Sequence, residues 1–331
     1  MVFLRRRREF ITLLGGAAAA WPVAARAQQS TMPVIGFLDS GSPAAYPDRV
    51  AAFRQGLKDL GYVEGENVAI DFRWANGRYD QLPGLAADLV RRQAAVIFAA
   101  TIQAALPAKT ATSTIPIVFA IGSDPVKYGL AASLNRPGGN ATGASWLGGS
   151  ILTAKRLELL HETAPKAGVI GALVNPTNPT ADDETREIKE AARALGLEIH
   201  FANAGTAREI DAAFATLIQQ RVGAVLIGAD NFFFARRDQL IVLAARHALP
   251  AIAQWRQFAV SGGLMSYGTK FSETYRQAAI YVGRILKGEK PADLPIQQAA
   301  KVEPVINLNT ARALGLTFPL PLLGRADEVI E

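Results

Sequence analysis

Polar side chains that suit a small charged ligand stand directly after two apolar runs of this sequence. Thr101 and Gln103 follow the run over residues 95–99, and Ser123 and Asp124 follow the next run along the chain. Hydroxyl groups and free backbone N–H groups at helix starts form anion sites that accept a carboxylate. These positions therefore predict a binding site for a carboxylate-bearing small molecule.

The second half of the chain adds an acid, an amide and aromatic rings at similar positions. Asp230 is suited to hold an ammonium group, and rings such as that of Phe232 are suited to clamp an apolar body. We predict a ligand-binding site that draws on both halves of the chain: Ser40, Ser42, Tyr46, Thr101, Gln103, Ser123, Asp124, Trp146, Asn175, Asp230, Phe232 and Trp255.

Each of these residues also has a purely structural interpretation. Ser, Thr, Asn and Asp residues before a helix commonly serve as N-caps, and Asn-Pro pairs such as Asn175-Pro176 commonly form turns. Phe232 fits a hydrophobic core equally well, and Trp146 and Trp255 fit packing between domains. Both interpretations stay open at the level of the sequence.

Catalytic signatures are missing from the sequence. It has no Cys, no Gly-x-Ser-x-Gly nucleophile motif and no glycine-rich nucleotide loop. His161, His200 and His247 lie far apart, and none has a second metal ligand at a usual spacing. The acidic run at residues 182–184 opens a predicted helix, where the helix dipole favours negative side chains. We therefore expect no catalytic residue, no metal, no cofactor and no enzymatic activity.

The composition is that of a globular protein without an electrostatic footprint for nucleic acid. Half of the 331 residues are apolar and 19% are charged. The net charge is +6, but residues 1–27 hold five Arg and one Glu, which supply four of those charges. The remaining body of the chain is nearly neutral, so we expect no nucleic-acid partner.

Residues 1–27 have the organisation of an export signal. The string Arg7-Arg8-Glu9-Phe10-Ile11 resembles the twin-arginine signal, and a short apolar run and the small-residue motif Ala25-Arg26-Ala27 follow it. The apolar run is too short to cross a bilayer as a helix. We predict cleavage near Ala27 and a soluble, monomeric periplasmic protein. A basic N-terminal arm is the alternative.

The rest of the chain alternates between strand and helix patterns. Two consecutive blocks of strand–helix units, separated by the Gly/Asn/Pro-rich residues 135–140, predict two parallel sheets with helices on both faces. Ligands of such sheets bind beyond the carboxyl ends of the strands, and here in a cleft between two domains. The predicted strands cover residues 33–38, 68–74, 95–99, 115–120, 169–174, 197–202, 224–227, 250–253, 263–267 and 302–308.

Several longer strings resemble a known family. They include PVIGFLDSGSP at 33–43, IPIVFAIGSDPVKYGLAASLNRPGGNATG at 115–143, LVNPTNP at 173–179 and GGLMSYG at 262–268. On these strings the chain resembles the periplasmic substrate-binding proteins of ABC transporters, in the group similar to tryptophan- and tyrosine-binding components. The resemblance covers most of the chain.

The resemblance implies a type I periplasmic binding fold: two doubly wound α/β lobes joined by about three crossover segments. It places lobe 1 at residues 33–145 and 270–298, and lobe 2 at residues 146–269 and 299–331. It implies that an inner-membrane ABC permease receives the ligand, for which an amino acid or aromatic acid is favoured. A cofactor-dependent enzyme exported by the twin-arginine route, or a ligand-sensing subunit of a membrane receptor, are the alternatives.

The resemblance also assigns roles to residues of the predicted site. Thr101, Gln103 and Ser123 match the positions that meet a ligand carboxylate in amino-acid binders of this fold, and Asp230 matches the acidic residue that meets the ammonium group. Tryptophan binders carry Thr-Pro-Ala at the turn after the third strand, where this chain has Thr101-Ile102-Gln103.

Overall fold

Short apolar runs form the central strands of two separate sheets. The computed structural model describes residues 32–146, 149–299 and 301–331, so the predicted export signal over residues 1–27 lies outside the described residues. The first sheet contains β1 Val34–Asp39, β2 Ala69–Trp74, β3 Val96–Ala99, β4 Ile117–Ile121, β5 Ala141–Trp146 and β11 Gln297–Ala299. Its order is β11-β5-β4-β3-β1-β2, and every neighbouring pair is parallel.

The second sheet is built from the later strands. It contains β6 Val169–Val174, β7 Glu198–Asn203, β8 Ala224–Ile227, β9 Ala251–Ala253, β10 Met265–Thr269, β12 Val302–Asn307 and β13 Glu328–Ile330. Its order is β13-β12-β10-β9-β8-β6-β7. The predicted α/β architecture with two largely parallel sheets is therefore confirmed.

One strand runs against the predicted direction. Strand β12 is antiparallel to β10, with Thr269 at the end of β10 paired with Val302 at the start of β12. Because the chain reaches β12 from the first sheet, it enters the second sheet at the end where β10 leaves it. A parallel pair would need a crossover helix over the same sheet, and the chain has none between these two strands.

Helices cover both faces of each sheet, which is why the central strands are continuous apolar runs. Helix α10 packs against α1, where the backbone of Arg276 comes so close that a Cβ on Gly56 would lie 2.4 Å from its carbonyl oxygen. The helices are α1 Pro47–Lys58, α2 Leu82–Arg91, α3 Ile102–Ala111, α4 Gly149–Thr163, α5 Ala181–Leu195, α6 Ala207–Gln219, α7 Asn231–Ala235, α8 Arg237–Arg246, α9 Arg256–Val260, α10 Phe271–Leu286, α11 Leu308–Ala313 and α12 Leu320–Leu323.

The chain passes between the two sheets three times. It leaves the first sheet after β5, returns to it through α10 after β10, and leaves it again after β11. Within the described ranges no helix is both long and apolar enough to cross a membrane. The same part of the chain holds no cluster of His, Asp or Glu side chains suited to a metal ion.

Candidate functional site

A cavity of about 340 Å³ lies where the carboxyl ends of the two sheets face each other. Volumes of this size are typical of small-molecule sites. Five of the residues predicted from the sequence line this cavity. They follow β3 or β4 or, in the last case, end β5: Thr101, Gln103, Ser123, Asp124 and Trp146.

The loop after β3 supplies hydrogen-bond donors to this cavity. Thr101 is the N-cap of α3, and its Oγ1 accepts a hydrogen bond from the N–H of Ala104 at 3.2 Å. Thr101, Ile102 and Gln103 all line the cavity, so the positive end of the α3 dipole lies at its wall. This supports the predicted affinity for an anion at this point.

Arg49 on α1 is a buried cationic side chain that lines the cavity, and sequence reasoning missed it. Its side chain is 5% exposed, and its guanidinium carbon lies 4.2 Å from the ring centroid of Tyr46, 4.2 Å from that of Phe271 and 4.9 Å from that of Phe234. Within the described residues Nη2 has no hydrogen-bond partner, and the side chain forms no salt bridge. Arg49 also counters part of the rise in pKa that burial gives the nearby carboxyl of Asp39. Its Nη2, which has no partner among the described residues, is available to an anionic ligand atom.

The opposite wall carries a buried charged cluster on α4 and α5. Arg156 donates from Nη2 to Thr153 Oγ1 at 2.9 Å, while its Nε has no partner among the residues that the structure describes. Glu184 is 7% exposed and accepts a hydrogen bond from the N–H of Ala229 at 2.5 Å. Burial raises the pKa of Glu184 to about 7, against the opposing effects of the Ala229 N–H and of Arg156. A ligand cation beside this carboxyl would favour its ionised form and lower its pKa again.

The sequence did contain a signal for both missed residues. Arg49 lies one turn before Phe53, and Glu184 one turn before Ile188, so each occupies the buried face of its helix. Residues 182–184 lie in the first turn of α5, as the sequence predicts, and Glu184 in addition lines the cavity. A charged residue on the apolar face of a helix is the pattern that identifies such a site.

The raised pKa of Glu184 predicts that the stability of the protein depends on pH. A carboxyl whose pKa is higher in the folded than in the unfolded chain stabilises the fold at low pH, and this contribution is lost as the pH rises from 4.5 to about 7. Glu184→Gln lacks this titrating group. Between pH 4.5 and pH 8 we therefore expect the free energy of unfolding of the wild type to fall by about 2–3 kcal/mol more than that of Glu184→Gln. Urea unfolding of both proteins across this range measures the difference, and parallel pH profiles would contradict the prediction.

Several other predicted residues connect the two lobes outside the cavity. Tyr46 OH donates to Asn231 Oδ1 at 2.9 Å, and Asn231 Nδ2 donates to Ser40 Oγ at 3.3 Å. Tyr79 OH donates to Asp230 Oδ1 at 2.7 Å. These bonds link the first lobe to the start of α7 in the second, so Ser40, Tyr46 and Asp230 hold the lobes together in this structure.

The remaining predicted residues have local structural partners. Asn175 Oδ1 accepts hydrogen bonds from the N–H and the hydroxyl of Thr177, which closes a turn. Phe232 and Trp255 are buried in the core beneath the second sheet, and Ser42 is half-buried before a short 3-10 turn. These three and Asn175 do not line the cavity.

The rim of the cavity carries another link between the lobes. Asp183 at the start of α5 forms an ion pair with Lys127 and accepts a hydrogen bond from Tyr128 OH at 2.6 Å. These two hydrogen bonds hold the pKa of Asp183 well below its ordinary range. The lobes therefore enclose the cavity through contacts at the rim as well as at α7.

Two α/β lobes that enclose a small cavity lined with charged and hydroxyl groups define a solute-binding protein. The chain belongs to the ABC transporter substrate-binding protein family, whose model matches residues 37–330. The predicted family and its function as the binding component of an ABC transporter are confirmed, and proteins of this family bind small ligands and interact with a membrane permease.

Individual relatives agree with this assignment. The chain is 27% identical over 264 residues to the tyrosine-binding protein of Clostridioides difficile (strain R20291), which covers 80% of this chain and 75% of the relative. The ABC domain of Streptococcus pneumoniae in complex with L-Trp is 26% identical, with a TM-score of 0.83 over 91% of this chain and 100% of that one.

A third relative was solved without ligand. The open structure of a substrate-binding protein with adhesive properties from Clostridium difficile is 25% identical, with a TM-score of 0.64 over 90% of this chain and 99% of that one. The fold described here is thus more similar to the L-Trp complex than to this open structure.

Proposed function

We propose that this protein binds an amino acid or aromatic acid between its lobes and delivers it unaltered to an inner-membrane ABC permease. The observation that carries the proposal is that one cavity is lined both by the buried guanidinium of Arg49, whose Nη2 has no partner among the described residues, and by the buried carboxyl of Glu184. A ligand with one carboxylate and one ammonium group matches these two groups, and its ammonium would favour the ionised form of Glu184. Two relatives support this ligand class: one is a tyrosine-binding protein, and the other was solved in complex with L-Trp.

The ligand acts by shifting the population of the protein from open to closed. It contacts both lobes only when they are closed, so its binding energy stabilises that state. The contacts at α7 and at Asp183 act in the same direction. The lobes are proposed to move as the bodies predicted from the sequence, 33–145 with 270–298 and 146–269 with 299–331.

The proposed place of action is the periplasm. The proposal rests on the twin-arginine string at residues 7–11 and the cleavage motif that ends at Ala27. Because the closed surface is formed by one chain, a monomer is sufficient to present the ligand to the permease. The protein performs no chemistry on the ligand.

A thermal-shift screen tests the ligand class. The purified protein is heated with the twenty amino acids, aromatic carboxylic acids, sugars and nucleosides. A ligand at 100 times its dissociation constant adds about 2.7 kcal/mol of stability, which raises the melting temperature by several degrees. We expect hits among aromatic or branched amino acids or aromatic acids, and hits confined to sugars or nucleosides would overturn the proposal.

A further inference from the structure

A second cavity lies beside the first, and Gln103 lines both of them. This second cavity has a volume of about 840 Å³ and is lined from α3 by Leu106 and Pro107. On the other lobe Asn178 lines the first cavity, whereas its neighbours Thr177 and Pro179 line the second. The boundary between the cavities therefore runs through Gln103 and Asn178.

These two amides are hydrogen-bonded across the lobes in a defined orientation. Asn178 Oδ1 accepts from the N–H of Thr180 at 3.2 Å and from its hydroxyl at 3.1 Å, which fixes the oxygen on that side. Gln103 must therefore present its Nε2 to the same oxygen, at 3.1 Å. The remaining two atoms, Gln103 Oε1 and Asn178 Nδ2, have no partner within the described part of the chain, although both residues are at least 95% buried.

We propose that the Gln103–Asn178 pair is a partition that closes one end of the ligand cavity and sets the length of the ligand. Gln103 Oε1 accepts a hydrogen bond from the ligand, and Asn178 Nδ2 donates one to it, so the ligand carries one donor and one acceptor at this end. This inference rests on the proposed function, because it concerns the same cavity. It deepens that function by limiting the ligand to a single amino-acid-sized unit and by excluding longer molecules such as dipeptides.

The partition has a chemical reason to be polar. Each unpartnered buried atom is costly until a ligand satisfies it, so a ligand that lacks either group leaves the site unsatisfied. The second cavity offers a longer ligand room beside Leu106, Pro107 and Pro179, and its polar side chains include Tyr79 and Thr177. Removing the Gln103 side chain beyond Cβ joins the two volumes.

Two substitutions separate the steric from the polar contribution. Gln103→Met keeps the length of the side chain and removes its amide, whereas Gln103→Ala removes the wall itself. Affinities for L-tryptophan, L-tyrosine and the dipeptides Trp-Gly and Gly-Trp are measured by calorimetry. We expect Gln103→Met to bind amino acids about tenfold more weakly than the wild type and still to exclude dipeptides. We expect Gln103→Ala to shift the ratio of dipeptide affinity to amino-acid affinity at least tenfold toward the dipeptides.

Leu106→Ala is a matched control, because Leu106 lines only the second cavity. It leaves the wild-type ligand profile unchanged, and it weakens dipeptide binding only when combined with Gln103→Ala. Identical length preference in the wild type and both Gln103 variants would overturn the partition.

Failure of the ligand class is distinguishable from failure of the partition. If the wild type binds neither amino acid, that part of the proposed function fails. Crystal structures of the unliganded variants then decide the inference. One continuous cavity in Gln103→Ala and two in Gln103→Met support it, and separate cavities in both variants overturn it.

Discussion

Arg49→Ala weakens binding of the tightest ligand of the thermal-shift screen by about 100-fold or more. A hydrogen-bonded pair of charges out of contact with water contributes several kcal/mol to binding, and each 1.4 kcal/mol corresponds to a factor of ten. The side chain of Arg49 lines the cavity, and its Nη2 has no partner among the described residues. The aromatic rings of Tyr46 and Phe271 pack against the guanidinium. Calorimetry on the purified variant measures the loss.

Two further variants show whether the charge or the packing of Arg49 causes the effect. Arg49→Met retains most of the apolar contact with Tyr46 and Phe271, and we expect it to bind as weakly as the Ala variant. Its unliganded melting temperature shows the separate cost to stability of removing the positive charge that acts on the buried carboxyl of Asp39. Arg49→Lys keeps the charge but loses the planar stacking, so we expect an intermediate loss. Binding by Arg49→Met within twofold of the wild type would exclude Arg49 as the anion site.

Much of the fold could be predicted because central parallel strands have an unambiguous sequence pattern. Strand β1 has the sequence VIGFLD with all but its first residue buried, and helix α5 ends at Gly196, which adopts a left-handed conformation. Such apolar runs and glycine stops depend on local sequence alone. The strand-end residues Thr101 and Ser123 followed directly, since the carboxyl end of a predicted strand is also a predicted position.

The elements that escaped prediction lack such a local pattern. Strand β5 has the sequence ATGASW, whose small residues show neither an apolar run nor alternation, and it exists because β4 and β11 flank it. Strand β11 is only three residues long, and β13 pairs at the far edge of the second sheet. Tertiary pairing rather than local propensity determines these strands.

The site was predicted in part for the same reason. Arg49 acquires its role from Phe234 and Phe271, which lie about 190 and 220 residues further along the chain. Glu184 acquires its raised pKa from burial against the second sheet. Asp230 shows the converse, since its strand-end position was correctly recognised while its partner Tyr79 was not. The sequence pattern identifies positions, but their chemistry depends on partners that lie far away along the chain, such as Phe234 and Phe271 for Arg49 and Tyr79 for Asp230.

Asp230→Ala weakens ligand binding on the order of 100-fold, chiefly by destabilising the closed state. It removes the buried carboxyl whose Oδ1 accepts a hydrogen bond from Tyr79 OH at 2.7 Å, and loss of the partner of a buried polar group costs about 1–3 kcal/mol. It also removes the cap of α7, in which Asp230 Oδ1 accepts from the N–H of Phe232 at 2.7 Å, and this costs about 1 kcal/mol of stability. Calorimetry and thermal unfolding measure the two losses separately.

Tyr79→Phe distinguishes this closure role from the contact with a ligand ammonium that the sequence predicts for Asp230. If Asp230 acts by closing the lobes, Tyr79→Phe reproduces most of the binding loss and keeps the cap of α7, so the melting temperature of the unliganded protein hardly changes. Asp230→Ala then weakens the binding of L-tryptophan and of its N-acetyl derivative by the same factor. If Asp230 binds the ammonium group, Tyr79→Phe binds almost as tightly as the wild type, and Asp230→Ala selectively loses the unmodified amino acid. The closure role fails on the second pair of results, and Glu184 would then share the ammonium site with Asp230.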